Sequence, residues 1–247
     1  MREEKKDLTA KKFVEKLKTY QSAKDREQMM KYFKTGEGQY GAGDQFIGVK
    51  MGKVFHLVKE FIDMPVNELE KLLESPVHEV RVGAVSIMDK ASRLKRLDET
   101  RRKELFDLYM RRHDRINNWD LVDLGCLNMV GNYLFDKRRD ILYKLARSKS
   151  IWERRTGIVG TCYFIKQSDV NDTYKIAELL MKDKEDLIHK GSGWMLRFAG
   201  DKDPKKLLTF LDKWADKMPR TMLRYSIEKL DKKKREFYMR KKAIGNR

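Results

Sequence analysis

Residues 77–91, VHEVRVGAVSIMDKA, decide the fold. Apolar side chains recur there three and four residues apart, which is the spacing of one helix face. The same spacing runs through NELEKLLESP (67–76), RRKELFDLYMRR (101–112) and KIAELLMKDK (175–184), and almost every segment after residue 50 reads as helix. Alternating, strand-like runs are absent. Pro65, Pro76, Pro204 and Pro219 each stand just before an apolar-periodic run, where proline suits a first helical turn. Ser75 and Asp203 precede two of them as expected N-caps. The expected class is all-α.

The opening stretch also carries a motif, a charged residue followed two positions later by a small one. It recurs as Arg81-Val82-Gly83, Asp123-Leu124-Gly125, Arg155-Thr156-Gly157, Lys190-Gly191-Ser192 and Arg224-Tyr225-Ser226, at intervals of 42, 32, 35 and 34 residues. Two-helix solenoid repeats run to roughly 34–47 residues. The expectation is therefore a superhelical stack of HEAT-like helix pairs forming a single domain, residues 1–247. Within it, 1–50 would hold N-terminal helices and a glycine-rich loop, 51–230 the repeats and 231–247 a basic tail. The small residue would permit close helix–helix approach, and the charge would lie on the basic, concave surface shared by the second helices. Imperfect repeats drift, and chance similarity in a charge-rich helical chain is the competing explanation. Four of the five charged positions are basic; Asp123 is the exception.

The chain has 247 residues, with 56 Lys and Arg against 38 Asp and Glu, a net charge of +18. An excess of that size calls for a polyanionic partner, nucleic acid foremost, because cations that neutralise phosphates release condensed counterions. Solvated helix faces on a basic protein are the bland alternative. No apolar run approaches the roughly 20 residues of a spanning helix, so no membrane partner is expected. The opening MREEKKDLTAKKF has no hydrophobic core of a secretory signal. Cys126 and Cys162 lie in apolar helical surroundings and read as reduced and buried, as in a cytoplasmic protein. The histidines 56, 78, 113 and 189 are scattered without metal-ligand spacing. No metal or cofactor is expected.

Within GEGQYGAGDQFIGVKMGK (36–53), Gly36, Gly38 and Gly41 satisfy GxGxxG, yet no strand precedes them. A glycine-rich loop leading into a helix near Met51 is the better reading, and its main chain could approach a phosphate closely. The end KLDKKKREFYMRKKAIGNR (229–247) reads as a solvated or partly helical basic tail.

NNWDLVD (117–123) sets Trp119 and Asp123 one helical turn apart on one face. Together with IWERRTGIV (151–159) and GSGWMLRF (191–198), it resembles three successive motifs of the AlkD-like DNA alkylation-repair glycosylases, built from HEAT-like repeats. DQFIGVKMGKVF (44–55) and PVHEVRVGAVSIM (76–88) resemble earlier helices of that family, so the likeness covers roughly residues 30–230. Asn118 and Leu121 depart from the family pattern, which bears on lesion preference. The resemblance implies that Asp123 is the catalytic carboxylate and that Trp119 and Trp194 face the lesion. Arg155 would be the active-site arginine and, with Arg154, Lys190, Arg197 and Arg224, would hold DNA phosphates. The implied partner is double-stranded DNA carrying alkylated bases, bound by a monomer that needs no protein partner.

The implied chemistry suits these residue types. A purine alkylated at N3 or N7 is cationic and leaves without being protonated. Positive charge then develops on the deoxyribose, where a fixed carboxylate stabilises it and orients the attacking water. Indole faces favour cations by about 0.5–2 kcal/mol. The rival hypothesis, a non-catalytic repeat module binding nucleic acid or protein, explains charge and repeats but not the carboxylate. An enzyme for small molecules finds no motif to support it.

Overall fold

The structure is a computed structural model and describes residues 8–241. Most of the charged opening and the last six residues of the tail, read above from sequence, lie outside that range. The helical reading is correct: among the described residues the only extended pairing is an isolated bridge between Gln45 and Val77. The chain divides into two compact units, Met1–Gly125 and Cys126–Arg247.

The first unit contains α1 (Ala10–Lys18), α2 (Ala23–Tyr32), α3 (Met51–Val58), α4 (Val66–Leu73), α5 (His78–Ser92), α6 (Glu99–Arg111) and α7 (Trp119–Gly125). The opening stretch of the sequence is α5, and it is the hub: α3, α4, α6 and α7 all pack on it. Its burial explains why it is apolar almost all round, with Val80, Val82, Ala84, Val85, Ile87 and Met88 all inside. The second unit contains α8 (Gly131–Leu134), α9 (Asp140–Leu145), α10 (Ile151–Val159), α11 (Cys162–Lys166), α12 (Asn171–Leu179), α13 (Asp186–Lys202), α14 (Pro204–Trp214), α15 (Arg220–Ser226) and α16 (Lys232–Arg240). Here α13 is the hub, contacted by α10, α11, α12, α14 and α15.

The repeated motif falls on α5, α7, α10, α13 and α15, and within each unit consecutive members of that series pack together. Its small residue does permit close approach. A Cβ at Gly83 would stand 2.4 Å from the Phe13 ring, and one at Gly157 would stand 2.8 Å from the Leu142 carbonyl. Ser192 and Ser226 are buried. Its charged residue departs from expectation in two of the five members, because Arg81 is 1% exposed and Arg155 5% exposed. Asp123 and Lys190 are half-buried, and Arg224 is exposed. The Arg81 and Arg155 guanidiniums are buried groups with internal partners. Two residues along a helix is a turn of about 200°, so the small and the charged residue face different neighbours, and both are covered where the helix is packed on both sides.

Helix starts also needed correction. Asp203 caps α14 through Lys206 N–H, with Pro204 as first residue. Ser75 is not an N-cap: its hydroxyl accepts from Val77 N–H, and α5 begins only at His78. Pro65 and Pro219 occupy the capping position itself, and Pro76 lies outside its helix. Cys126 and Cys162 are buried and form no disulfide. No described helix is long and apolar enough to cross a membrane.

The glycine-rich loop does lead into α3 at Met51, and it is fastened to the start of α5. His78 N–H donates to Gln45 O at 2.7 Å. The buried Glu79 carboxylate accepts from the amides of Ile47, Gly48 and Val49, with Gly48 at 2.8 Å. Gly48 has φ +79, and a Cβ there would lie 2.0 Å from Ser22 O. Replacing Gly48 by Ala is expected to cost about 1–3 kcal/mol of strain. A urea-unfolding midpoint equal to that of the parent protein would show the loop yields instead.

Candidate functional site

The first unit builds its site from the loop, α5 and the start of α7. Asp44, carried by the glycine-rich loop, accepts from Arg81 Nη2 at 2.6 Å and from the amide groups of Asn117 at 3.1 Å and Asn118 at 3.4 Å. His78 lies between two carboxylates, with Nδ1 3.3 Å from Asp44 Oδ2 and Nε2 2.8 Å from Asp120 Oδ2. A neutral imidazole has one N–H and would turn a lone pair on one of the two. The geometry therefore favours the imidazolium, and the cluster Asp44, Asp120, His78, Arg81 is then neutral. Burial alone would lower the His78 pKa, but Asp120 beside it, helped by Asp44, lifts it to about 9. Burial raises the Asp44 pKa, yet the His78 hydrogen bond and the Arg81 charge bring it down to about 2.

A pH dependence of stability follows. His78 is raised from 6.5, so its contribution is complete below pH 6.5 and is lost as pH climbs through 9. That shift is worth on the order of 3 kcal/mol. Asp44 is lowered from 3.8, so its contribution is complete above pH 3.8 and is lost as pH falls toward 2. Stability measured by urea unfolding is expected to decline between pH 6.5 and 9 in the parent protein, and His78→Gln should flatten that decline.

Each residue of NNWD helps hold the N-terminus of α7. Asn117 and Asn118 reach Asp44, Asn118 Oδ1 accepts from Trp119 N–H at 2.8 Å, and Asp120 meets His78. Trp119 is half-buried. Its ring lies 5.7 Å from Phe33 and nearly parallel to it, edge-on to Tyr32 at 6.0 Å, and its Nε1–H donates to Tyr40 Oη at 3.3 Å. Tyr32 is 65% exposed, so this aromatic group opens to solvent. Asp123, one turn on, is also half-buried, as is Leu124 beside it, whereas Asp120, Leu121, Val122 and Gly125 are buried. Trp119 and Asp123 thus share a partly exposed face of α7, and α7 passes directly into a π-helical turn, Cys126–Val130.

In the second unit, Arg155 Nη1 donates to Leu187 O at 2.6 Å, and a Cβ at Gly191 would stand 3.1 Å from that nitrogen. The first glycine of GSGWMLRF thus makes room for the guanidinium. Trp194, three residues further along α13, is half-buried and edge-on to Phe198 at 5.5 Å. The other cations singled out from sequence differ among themselves. Arg154 pairs with Asp183 at 2.6 Å, Lys190 with Asp186 at 2.8 Å, and Arg197 with Glu228, while Arg224 is exposed.

Sequence reasoning passed over Tyr32, Tyr40, Asp44, His78 and Asp120. The usable signal was that Tyr40 and Asp44 sit inside a glycine-rich loop, and that His78 heads the long apolar-periodic run of α5. Among the described residues no cluster suited to a metal ion is present.

Comparison with known proteins bears on the whole assembly. The profile of a family described as DNA alkylation repair enzyme matches residues 13–230. A solved structure described as a predicted DNA alkylation repair enzyme from Enterococcus faecalis is similar with a TM-score of 0.69 and 16% identity. The similarity covers 86% of this chain and 97% of that one. At such identity it speaks for the shared fold. None of the curated proteins matches the sequence.

Proposed function

The chain belongs to the DNA alkylation repair enzyme family, which gives it a role in the repair of alkylated DNA, and from that premise we propose that it is a DNA glycosylase. Its substrates in this reading are purines made cationic by alkylation at N3 or N7, in duplex DNA inside the cell, and it acts as a monomer. The observation that carries the reading is Asp123 and Trp119 together on a partly exposed face of α7, in a chain of net charge +18.

Alkylation has already weakened the glycosidic bond, so the leaving base takes the bonding electrons as a neutral purine and needs no acid. The Asp123 carboxylate stabilises the positive charge that develops on the deoxyribose and orients the water that attacks C1′. Water supplies the hydroxyl, and its released proton passes to solvent. Trp119 and Trp194 offer indole faces that favour the cationic nucleotide. Arg224, exposed, and Lys190, half-buried, are the best placed of the cations to meet phosphates. Arg154, Arg155 and Arg197 have internal partners and contact DNA only if part of the guanidinium stays available.

The test is release of 7-methylguanine from methylated duplex DNA by the purified protein, followed by chromatography of the free base. Absence of release would leave the non-catalytic binding module as the better account.

A further inference from the structure

The family match ends at residue 230, and α16 lies beyond it. The helix is fastened to its unit by one side. Tyr238 is buried, its hydroxyl donates to Asp212 Oδ1 at 2.9 Å, and Arg220 donates to the carbonyls of Met239 at 2.6 Å and Lys241 at 3.2 Å. Phe237 packs edge-on against the Tyr238 ring, with centroids 5.1 Å apart, yet is left 56% exposed.

The surroundings of Phe237 define what it could meet. Its neighbours at i−4, i−3, i+3 and i+4 are Lys233, Lys234, Arg240 and Lys241, all cations, and these are the positions that flank a side chain on a helix surface. Lys241 Nζ lies 5.1 Å from the Phe237 ring centroid. Lys234 and Lys241 face Asp231 and Asp212, and Arg240 makes a loose 3.9 Å pair with Glu236. Among the described residues Lys232, Lys233 and Arg235 have no acidic partner. A depression of ≈370 Å³ is lined by Lys233, Glu236, Phe237, Arg240 and Lys241.

An exposed ring ringed by cations recognises a partner that presents a flat π surface and negative charge within a few ångströms of each other. A nucleotide does so in every unit of a strand. An anionic membrane would need a broad apolar helix face, and α16 has spent its other aromatic, Tyr238, on its own unit. We propose that the outer face of α16 is a second DNA-binding surface, which takes a single-stranded segment by stacking an unpaired base on Phe237 and holding flanking phosphates with Lys233 and Arg240. Stacking on an aromatic side chain is tolerant of sequence, so the surface reads strandedness and not base identity. It is independent of the excision chemistry proposed for α7.

The experiment is fluorescence anisotropy with a labelled oligothymidylate across a salt series, using the full chain, Phe237→Ala, and the double variant Lys233→Gln/Arg240→Gln. Phe237→Ala is expected to weaken binding about tenfold with the salt slope unchanged. The double variant should reduce the slope of log K against log salt by roughly 1.4. Circular dichroism of both variants should match the parent protein, and excision of 7-methylguanine at saturating enzyme should be unaltered. No binding by the parent protein, or unchanged affinity in Phe237→Ala, overturns the proposal. So does Phe237-dependent capture by phosphatidylglycerol vesicles without Phe237-dependent oligonucleotide binding. If the parent protein binds oligothymidylate in a Phe237-dependent way but releases no methylguanine, the glycosylase reading fails and this surface stands.

Discussion

Asp123→Asn is expected to slow single-turnover release of 7-methylguanine by about 10²–10³-fold, the loss typical when one preorganised electrostatic group is removed from a transition state. Asn keeps the size and the oxygen of the side chain but not its charge, and charge is what the reaction requires. The ground state differs from the transition state mainly in positive charge on the sugar, so the penalty belongs to the rate of the bound complex and not to binding. DNA affinity should be equal or slightly better, since one anion has left the surface proposed to meet phosphates. That pairing of effects separates the enzyme from a passive binding module, for which Asp123→Asn would change affinity alone. Unimpaired release by the Asn variant would remove Asp123 from the mechanism. Retention of release on a neutral lesion, with loss only on cationic ones, would instead shift the role of the carboxylate from the sugar to the base.

The fold was largely legible because helices announce themselves locally. The three- and four-residue spacing of α4, α5, α6 and α12 needs no knowledge of partners, and the loop-to-helix junction at Met51 follows from glycine content. The small members of the repeated motif were legible too, since close approach leaves no other reason for Gly83 or Gly157. What could not be read was partnership. Arg81 looks like a surface cation until Asp44, 37 positions earlier, is delivered to it by a loop with no periodicity of its own. His78 looked stray because its two carboxylates come from a loop and from a helix 42 positions away. Long-range pairing of charges leaves no local signature, whereas a helix face does. Trp119 falls between these cases: its spacing from Asp123 was visible, but its packing on Phe33 and its hydrogen bond to Tyr40 were not.

The second large effect is expected at Asp44. Asp44→Leu should lower the unfolding free energy by about 3–5 kcal/mol, because it strands the buried Arg81 guanidinium and leaves His78 with Asp120 as its one carboxylate. Against a total stability of about 5–15 kcal/mol, such a loss would be plain in a urea-unfolding midpoint. The cluster itself supplies the control. Removing Arg81 as well, in Asp44→Leu/Arg81→Leu, takes out one anion and one cation and leaves His78 paired with Asp120 at 2.8 Å. If the cost of the single variant is unpaired charge, the double variant recovers a large part of it, since a buried ion pair exchanged for apolar side chains is often close to neutral. If the double variant is no better than the single one, the carboxylate matters instead as the anchor of the loop and of Asn117 and Asn118. The two outcomes also part company in function. Asn117 and Asn118 lead into α7, so losing their anchor frees the helix start that carries Trp119 and, one turn on, Asp123. Excision by the stability-restored double variant would then stay depressed, and the buried charges would be seen to serve the geometry of α7 beyond the stability of the unit.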